Sequence, residues 1–563
     1  MPHATSALPT APAAPGGESV GPLERGLAVL RALSTGPARR MRPGDLTRAT
    51  GLARSTVDRI VTTLAHIGYV RIEDRDVLLA PGLMEVGNAY LAACGLPDDL
   101  EPYAVLLADD LDESVSIAVP DGDGVRFITQ STRRRTMSLA FRIGDLLPAE
   151  RCAAGTLFAA DWSPARHDAW RARLRDDPAD TGFPAVPARA VPPAPDEVEA
   201  DFASRIATAR EAGWSADDQL IEPGLIAIAV PVRDGAGQAV CAVSVVSHTS
   251  RHSVESLSAH ALARLRDSAA AMERALSATA ARSPGAPADH GADTSRRSKE
   301  ELGPEFLQSL ARGLAVLAAL GSDRGGLSLS AAAEATGLPR ATARRALLTL
   351  QQLGYVTTGD GRRFTPLPKV LELGYARLSG LTFGEIVQPH LARLVERVHD
   401  SASMAMLAGD DIVYVARMPT VRIMSVNITL GTRFPAYATS MGRVLLAGLS
   451  EAELTAHLAR ITPRPLTRHT RTAPDDLAAA IRAAGREGHA LVDQELEEGL
   501  RSIAVPVRDR HGRVIAALNV STHAGRSTPD AMRRTVLPAL TEIAAAIERD
   551  LAMVTERTRL PIP

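Results

Sequence analysis

The sequence predicts an α+β chain made by duplication, each copy a winged helix-turn-helix followed by a mixed α/β sensor, and three observations carry that prediction. ATGLARSTVDRIVTTLAHIGYV (Ala49–Val70) returns as ATGLPRATARRALLTLQQLGYV (Ala335–Val356), 286 positions later. Asp218–Gln238 and Asp493–Arg513 share 13 of 21 residues, so the repeat extends well beyond the first block. Stretches such as SVSIAVP and SASMAMLA alternate between turn signals, and after a helix the chain returns to strands at IAIAVPVRD and SIAVPVRD, which reads as a mixed α/β domain with a mainly antiparallel sheet.

Taken in order, residues 1–20 are rich in Pro, Ala, Gly and Ser and read as a tail. A winged module spans 21–81. LERGLAVLRAL opens it with a helix, Pro43 sits near the start of the second helix, where its missing N–H costs nothing, and Gly51 ends that helix. The third helix places Val57, Ile60, Val61 and Leu64 on one apolar stripe and Arg54, Ser55, Asp58 and Thr62 on the other face. A hairpin wing follows around Asp74-Arg75-Asp76. A connecting helix (82–97) begins PGLMEVGNAYL, and a sensor unit (98–278) takes over with an amphipathic helix from Pro102. A polar linker (279–303) leads to the second copy: winged module 304–367, connecting helix 368–384 with PKVLELGYARL, and sensor 385–556 with its helix from Pro389. Copy one is 12 residues longer between the matched blocks, and the Pro-rich TGFPAVPARAVPPAPDEVE reads as a surface loop that absorbs the difference.

The layout of the third helices is that of a DNA-reading helix, which needs a greasy stripe for its own core and a polar, cationic face for a groove. The formal net charge is −2, yet 21–80 holds ten Arg against six acids and 305–366 seven Arg against four. Both windows are positive while the whole is not, as expected where DNA-facing modules are joined to more acidic domains. Arg54, Ser55 and Arg59 in copy one, and Arg340, Arg344 and Arg345 in copy two, are the candidate DNA contacts, with Arg362 and Arg363 reaching out from the second wing. Double-stranded operator DNA is the expected partner.

Other chemistry finds little support. Cys94, Cys152 and Cys241 are far apart, with no CxxC and no Cys/His cluster, which fits a reducing cytoplasm. No apolar run is long enough to span a bilayer and the N-terminus carries no signal pattern, so no membrane partner is expected. There is no GxSxG elbow, HExxH or phosphate loop, and the chain is read as a non-enzyme without cofactor or metal. Asp121-Gly122-Asp123-Gly124 lacks the remaining positions of a calcium loop and reads as a hairpin turn, and His248 and His523, matched in the repeat, read as structural.

Copy two carries GTRFPAYATSMGRVLLAGL (Gly431–Leu449), DQELEEGLRSIAVPVRD (Asp493–Asp509) and LNVSTHAGR (Leu518–Arg526). On these stretches the chain resembles two fused members of the IclR family of bacterial transcription regulators, and copy two resembles its protocatechuate and 4-hydroxybenzoate (β-ketoadipate pathway) branch. The resemblance implies a GAF-like effector-binding domain with a cup for a small aromatic or dicarboxylic acid. That cup would comprise Ser440, Met441 and Gly442 at a helix start, Leu500 and Ser502 on one strand, and Asn519 and Ser521 on the next. Asn519 and Ser521 share a strand face, and backbone N–H groups at a helix start favour an anion. Copy one has Ala153, Ala154, Gly155, Leu225, Ala227, Ser244 and Val246 at the matching places, and a buried carboxylate without partners is expensive, so copy one is not expected to take the same ligand. Arg501 either pairs with Glu497 and Glu498 or helps capture the ligand, and Arg422 and Arg135 are either solvated strand-end charges or effector contacts.

The resemblance further implies pairing of DNA-binding modules, which here would give an internal pseudo-dimer with higher homo-oligomers open. The resulting reading is a ligand-responsive regulator of aromatic-acid breakdown. The alternatives are an IclR-like regulator of another catabolic operon and a DNA-binding architectural protein that takes no ligand.

Overall fold

A computed structural model describes residues 20–36, 40–133, 141–187, 189, 191–279, 306–359, 362–420 and 428–556. The chain divides into two compact units, 1–380 and 381–563. Arg135 and Arg422, singled out above, lie outside the described residues.

The first unit opens with helices α1 (Gly21–Thr35), α2 (Pro43–Thr50) and α3 (Arg54–His66) and the wing strands β1 (Val70–Glu73) and β2 (Asp76–Leu79). Pro43 starts α2 and Gly51, at φ +68°, ends it. The apolar stripe of α3 is buried throughout, Val57, Ile60 and Leu64 completely. Helix α4 (Met84–Cys94) leads to α5 (Leu96–Leu111) and to a six-stranded antiparallel sheet. Its strands are β3 (Ser114–Asp121), β4 (Gly124–Ser131), β5 (Leu146–Pro148), β6 (Ser215–Asp218), β7 (Leu225–Arg233) and β8 (Ala239–His248), in the order β5-β4-β3-β8-β7-β6. Asp121 and Gly124 pair directly, so the Asp-Gly-Asp-Gly stretch is the tight β3–β4 turn. Helices α6 (Ala153–Ala159), α7 (Pro164–Asp176) and α8 (Pro195–Ala212) lie between β5 and β6, and α9 (Val254–Thr279) follows β8. The Pro-rich loop expected to absorb the 12 additional residues of copy one takes only five of them: α7 and α8 have 13 and 18 residues where the matching helices Glu451–Arg460 and Pro474–Glu487 have 10 and 14, so the rest lengthens the helices.

The second winged module completes this unit: α10 (Gln308–Ala319), β9 (Leu327–Ser328), α11 (Leu329–Ala335), α12 (Arg340–Gln352), β10 (Val356–Thr358), β11 (Arg363–Pro366) and the short α13 (Tyr375–Ser379). The two winged modules pack on one another with matched residues trading places. A Cβ on Gly26 would meet Leu310 Cδ1 at 2.3 Å, and one on Gly313 would meet Leu23 Cδ2 at 2.5 Å, so each helix needs its glycine to let the partner leucine in. The Val20 N–H donates to Thr349 Oγ1 (3.0 Å), and the Leu307 N–H donates to Thr63 Oγ1 (2.9 Å). Tyr375 and Asn88, which correspond in the repeat, bond to each other, the hydroxyl donating to Asn88 Oδ1 at 2.7 Å. Residue i touching j while the copy of j touches the copy of i is the signature of an approximate two-fold axis.

The second unit contains α14 (Phe383–Val398), β12 (Ser401–Ala408), β13 (Asp411–Met418), β14 (Arg433–Pro435), α15 (Ser440–Leu446), α16 (Glu451–Arg460), α17 (Pro474–Glu487), β15 (Ala490–Asp493), β16 (Leu500–Arg508), β17 (Val514–His523), α18 (Pro529–Thr535) and α19 (Leu537–Thr555). Its sheet order, β14-β13-β12-β17-β16-β15, repeats that of the first sensor strand for strand. One face packs on α15 through Ala405, Tyr414, Met441, Val444, Ala504 and Ala517. The other face meets α14 and α19.

Two further expectations of the sequence need correction. The helices expected from Pro102 and Pro389 begin six residues earlier, at Leu96 and Phe383, and carry the prolines inside. At Phe383 the cause is a capping box, Thr382 Oγ1 accepting from the Glu385 N–H (3.3 Å) while Glu385 accepts from the Thr382 N–H (2.8 Å). The connecting helix of copy two is not continuous: Pro368–Leu373 is a 3₁₀ stretch and α13 starts only after Gly374, which sits at φ +117°. A Cβ there would come within 2.6 Å of Leu79 Cδ1, so the break is held by packing of the first wing against it.

Candidate functional site: two recognition helices and a polar cup

On α3, Arg54 and Ser55 are exposed and Arg59 is half-buried. On α12, Arg340, Arg344 and Arg345 are all exposed. The Arg54 Nε donates to both oxygens of Asp58 one turn on, at 2.9 and 3.1 Å. In front of α2, α3 and the first wing lies an open cleft of about 650 Å³, bordered by Arg42, Arg48, Arg54, Asp58 and Arg75. Arg362 is exposed at the second wing, but Arg363 is not an outstretched contact. Its guanidinium is tied to the Asp323 carboxylate and to the Gly326 carbonyl, bracing the turn before β9.

In the second sensor, residues on neighbouring strands form two rows across the face covered by α15. Val492, Ser502, Ser521 and Ser401 are successive cross-strand partners, and so are Ala490, Ala504, Asn519 and Ser403. Cross-strand partners share a face of the sheet. The Ser440 hydroxyl, at the start of α15, donates to Ser502 Oγ (2.9 Å), and Asn519 Nδ2 donates to Ser521 Oγ (2.9 Å). Asn519 is 3% exposed and its Oδ1 is buried without a hydrogen-bond partner. A buried amide oxygen left unmatched is costly and invites a donor.

The rest of the expected cup divides. Met441 belongs to the apolar core with Ile412 and Val444. Gly442 is required for packing, since a Cβ would stand 2.0 Å from the Ala436 carbonyl oxygen. Leu500 is half-buried at the start of β16, opposite His523. The helix start offers an anion less than the sequence suggested, because α15 has only 7 residues and the Gly442 N–H is already taken by Thr439 Oγ1 at 2.9 Å. Arg501 lies on the opposite face of β16 from Ser502, clamped by the Asp493 carboxylate (2.9 Å to each oxygen) and by backbone carbonyls, so neither Glu497 nor Glu498 is its partner and it does not face the cup.

Two features escaped the sequence reading. Arg443 and Glu495 form a buried bidentate ion pair beside the cup (2.8 and 2.5 Å), and Arg443 Nε also donates to the Tyr437 carbonyl. Their counterparts in copy one are Thr156 and Leu220. There the cation comes from α8 instead: Arg205 donates to Thr156 Oγ1 (3.2 Å) and to the carbonyl of Glu150, the counterpart of Tyr437 (2.7 Å). The matching rows of the first sensor are Asp217, Ala227, Val246, Ser114 and Ser215, Ala229, Ser244, Ser116. Asp217 stands where copy two has Val492, and burial pushes its carboxyl up to about 7. Setting the repeats side by side on strand β6 would have exposed that difference.

Among the described residues no group of His, Cys, Asp or Glu is arranged to hold a metal ion, and no helix is long and apolar enough to cross a membrane.

Comparison with known proteins agrees with the architecture. The model of the IclR helix-turn-helix domain matches residues 22–74 and 309–360, and that of the C-terminal domain of bacterial IclR transcriptional regulators matches 197–274 and 376–549. The Pca regulon regulatory protein of Pseudomonas putida is 47% identical over 249 residues, 44% of this chain and 84% of that protein. The p-hydroxybenzoate hydroxylase transcriptional activator of Acinetobacter baylyi is 34% identical over 253 residues, 44% of this chain and 93% of that protein. The solved structure of a putative transcriptional regulator, RHA06195 from Rhodococcus sp. RHA1, is 53% identical, covering 44% of this chain and 99% of that one with a TM-score of 0.41. Each relative thus spans about one copy's worth of sequence, and the chain belongs to the IclR family of bacterial transcriptional regulators, with both domains of that family present twice.

Proposed function

We propose that one chain occupies both half-sites of one operator and controls genes for aromatic-acid breakdown in response to a small acid held by its second sensor. The observation that carries the first part is the reciprocal contact of Leu23 with Gly313 and Leu310 with Gly26, which pairs the two winged modules within one chain. Family members are read as pairing two chains, and here a covalent link keeps the partner at an effective concentration of order mM.

For the ligand, the supporting feature is the Ser440, Ser502, Asn519 and Ser521 cluster with its unmatched amide oxygen. Hydroxyl donors replace the water that a carboxylate sheds, and Asn519 Oδ1 suits a phenolic hydroxyl at the other end of the molecule. The relatives are named for the Pca regulon and for p-hydroxybenzoate hydroxylase, which favours protocatechuate and 4-hydroxybenzoate, with the dicarboxylate β-ketoadipate next. In the first sensor Asp217 occupies the equivalent row, and its carboxyl, raised by burial to about 7, would repel the same acid once it ionises. That sensor serves as the partner that holds the other half-site.

Titration calorimetry of the intact chain with these three acids tests the reading. One binding event per chain is expected, and two equal events, or none, would overturn it. Light scattering with footprinting tests the pairing, since a requirement for two chains on the minimal operator would refute it.

A further inference from the structure

The two recognition helices face DNA with opposite charge at one matched position, Asp58 on α3 and Arg344 on α12. The residues flanking that position are alike: Arg54 matches Arg340, and Arg59 matches Arg345. Asp58 is on the solvent face, its side chain 50% exposed, one turn from the N-terminus of α3 and at the border of the cleft between helix and wing. Residues in the first turns of such a helix are the ones that meet base edges.

A carboxylate there is repelled by phosphates, so it adds to binding only over a base. Guanine and thymine offer acceptors in the major groove, and adenine sets its N7 acceptor beside its amino group. Cytosine alone presents an amino donor without a competing acceptor. Arginine at the same place matches guanine O6 and N7. The exposed ion pair with Arg54 is too weak to hold Asp58 back from a desolvated base contact.

We propose that Asp58 accepts from a cytosine amino group in one half-site at the position where Arg344 donates to guanine in the other. The operator is then asymmetric at that base pair, and the chain binds it in one orientation. This rests on the reading that both modules sit on one operator.

The test is selection of bound duplexes from a randomised pool by the intact chain, followed by footprinting and by affinity measurements on single base-pair changes. The selected site is expected to show cytosine in one half where the other has guanine on the equivalent strand. Swapping that pair should weaken binding roughly ten- to a hundredfold. Asp58→Asn should abolish the preference at that pair alone, and Asp58→Arg should select guanine there and make the pair symmetric. Both changes lie on an exposed surface, and an unchanged thermal melt establishes that the variants fold. A two-half-site footprint with a symmetric pair in the wild type, or an Asp58→Asn variant that keeps the preference, overturns the inference alone. So does a preference lost instead at the neighbouring pair read by Arg54, which would make Asp58 a brace. A footprint of a single half-site overturns the paired reading itself.

Discussion

Replacing Asp217 by Asn should stabilise the first sensor at neutral and alkaline pH and leave it almost unchanged in acid. Asp217 is 2% exposed, and burial lifts its carboxyl from 3.8 to about 7, against the opposing pull of the Leu220 N–H and, behind it, of Arg205. Between those two values the folded chain keeps a proton that the unfolded chain releases, so stability falls as pH rises through that window. Below it both states are protonated and nothing is lost, whereas above about 7 the full cost of a buried carboxylate is present. A gap of roughly three pH units at about 1.36 kcal/mol each comes to roughly 4 kcal/mol. Asn cannot ionise, and its carbonyl oxygen can still accept from the Leu220 N–H, now 2.8 Å from Asp217 Oδ1. All three tryptophans, Trp162, Trp170 and Trp214, belong to this sensor, so urea unfolding followed by tryptophan emission reads it without signal from the second. The variant should unfold at clearly higher urea than the wild type at pH 8 and at a similar concentration near pH 4. An equal separation at both pH values would refute the assignment of a buried, proton-holding carboxyl.

The remaining predictions concern the pairing, the DNA and the second cup. Gly313→Val drives a side chain into Leu23, whose Cδ2 lies 2.5 Å from where a Cβ on that glycine would stand, and such overpacking costs about 1–3 kcal/mol. Operator affinity measured by anisotropy should fall about tenfold or more while the tryptophan-reported unfolding stays put. Arg340→Ala should lower the slope of log affinity against log salt by roughly one, and an unchanged slope would remove it from the phosphate contacts. Ser502→Ala with Asn519→Leu should weaken acid binding about a hundredfold by calorimetry, since the charge-assisted bond lost at Ser502 is worth roughly 1.5–3 kcal/mol and the neutral one at Asn519 about 0.5–1.5 kcal/mol. Glu495→Gln should destabilise the second sensor by about 3–5 kcal/mol by leaving Arg443 without its counter-charge, whereas the double change Arg443→Thr, Glu495→Leu, which copies Thr156 and Leu220, should cost much less by calorimetric melting.

What the sequence made legible was what rests on short-range periodicity. The stripe of Val57, Ile60, Val61 and Leu64 and the strand through Ile226, Ala227 and Ile228 depend only on whether a chain coils or extends, and both elements form as expected, although that strand is buried on both faces, where α6 and α9 pack on it. The Ser502, Asn519 and Ser521 convergence was legible for a similar reason, because alternate residues on paired strands must share a face. What stayed hidden depends on neighbours distant in the chain. Gly374 breaks its helix where Leu79 of the first wing packs against it. Arg363 reads as a wing contact in one dimension and is a brace for Gly326 in three.

The exchange of Arg443 for Arg205 shows how the two sensors have come to differ without losing their common frame. Both copies need a cation at the carbonyl before the short central helix, Tyr437 in one and Glu150 in the other. In copy two it comes from within that helix and is matched by Glu495, which also accepts from the Arg471 N–H at 3.1 Å and so ties down the loop before α17. In copy one the half-buried Arg205 reaches in from α8, leaving Thr156 in the helix, while the buried Arg151 binds the Leu220 and Ile221 carbonyls and the Asp180 carboxylate. The cation at the carbonyl before the central helix is therefore supplied by different residues in the two copies, whereas the polar row of the cup has no counterpart: Ser440, Ser502 and Ser521 are matched by Ala153, Ala227 and Val246, and Asp217 stands where copy two has Val492. A domain kept for its shape must hold its buried cations in hydrogen bonds or ion pairs, but it is free to differ at groups that would serve only to meet a ligand. Copy one holds its buried arginines in this way and lacks the polar row, the pattern expected of the structural partner we propose and the reason a single sensing event per chain is expected.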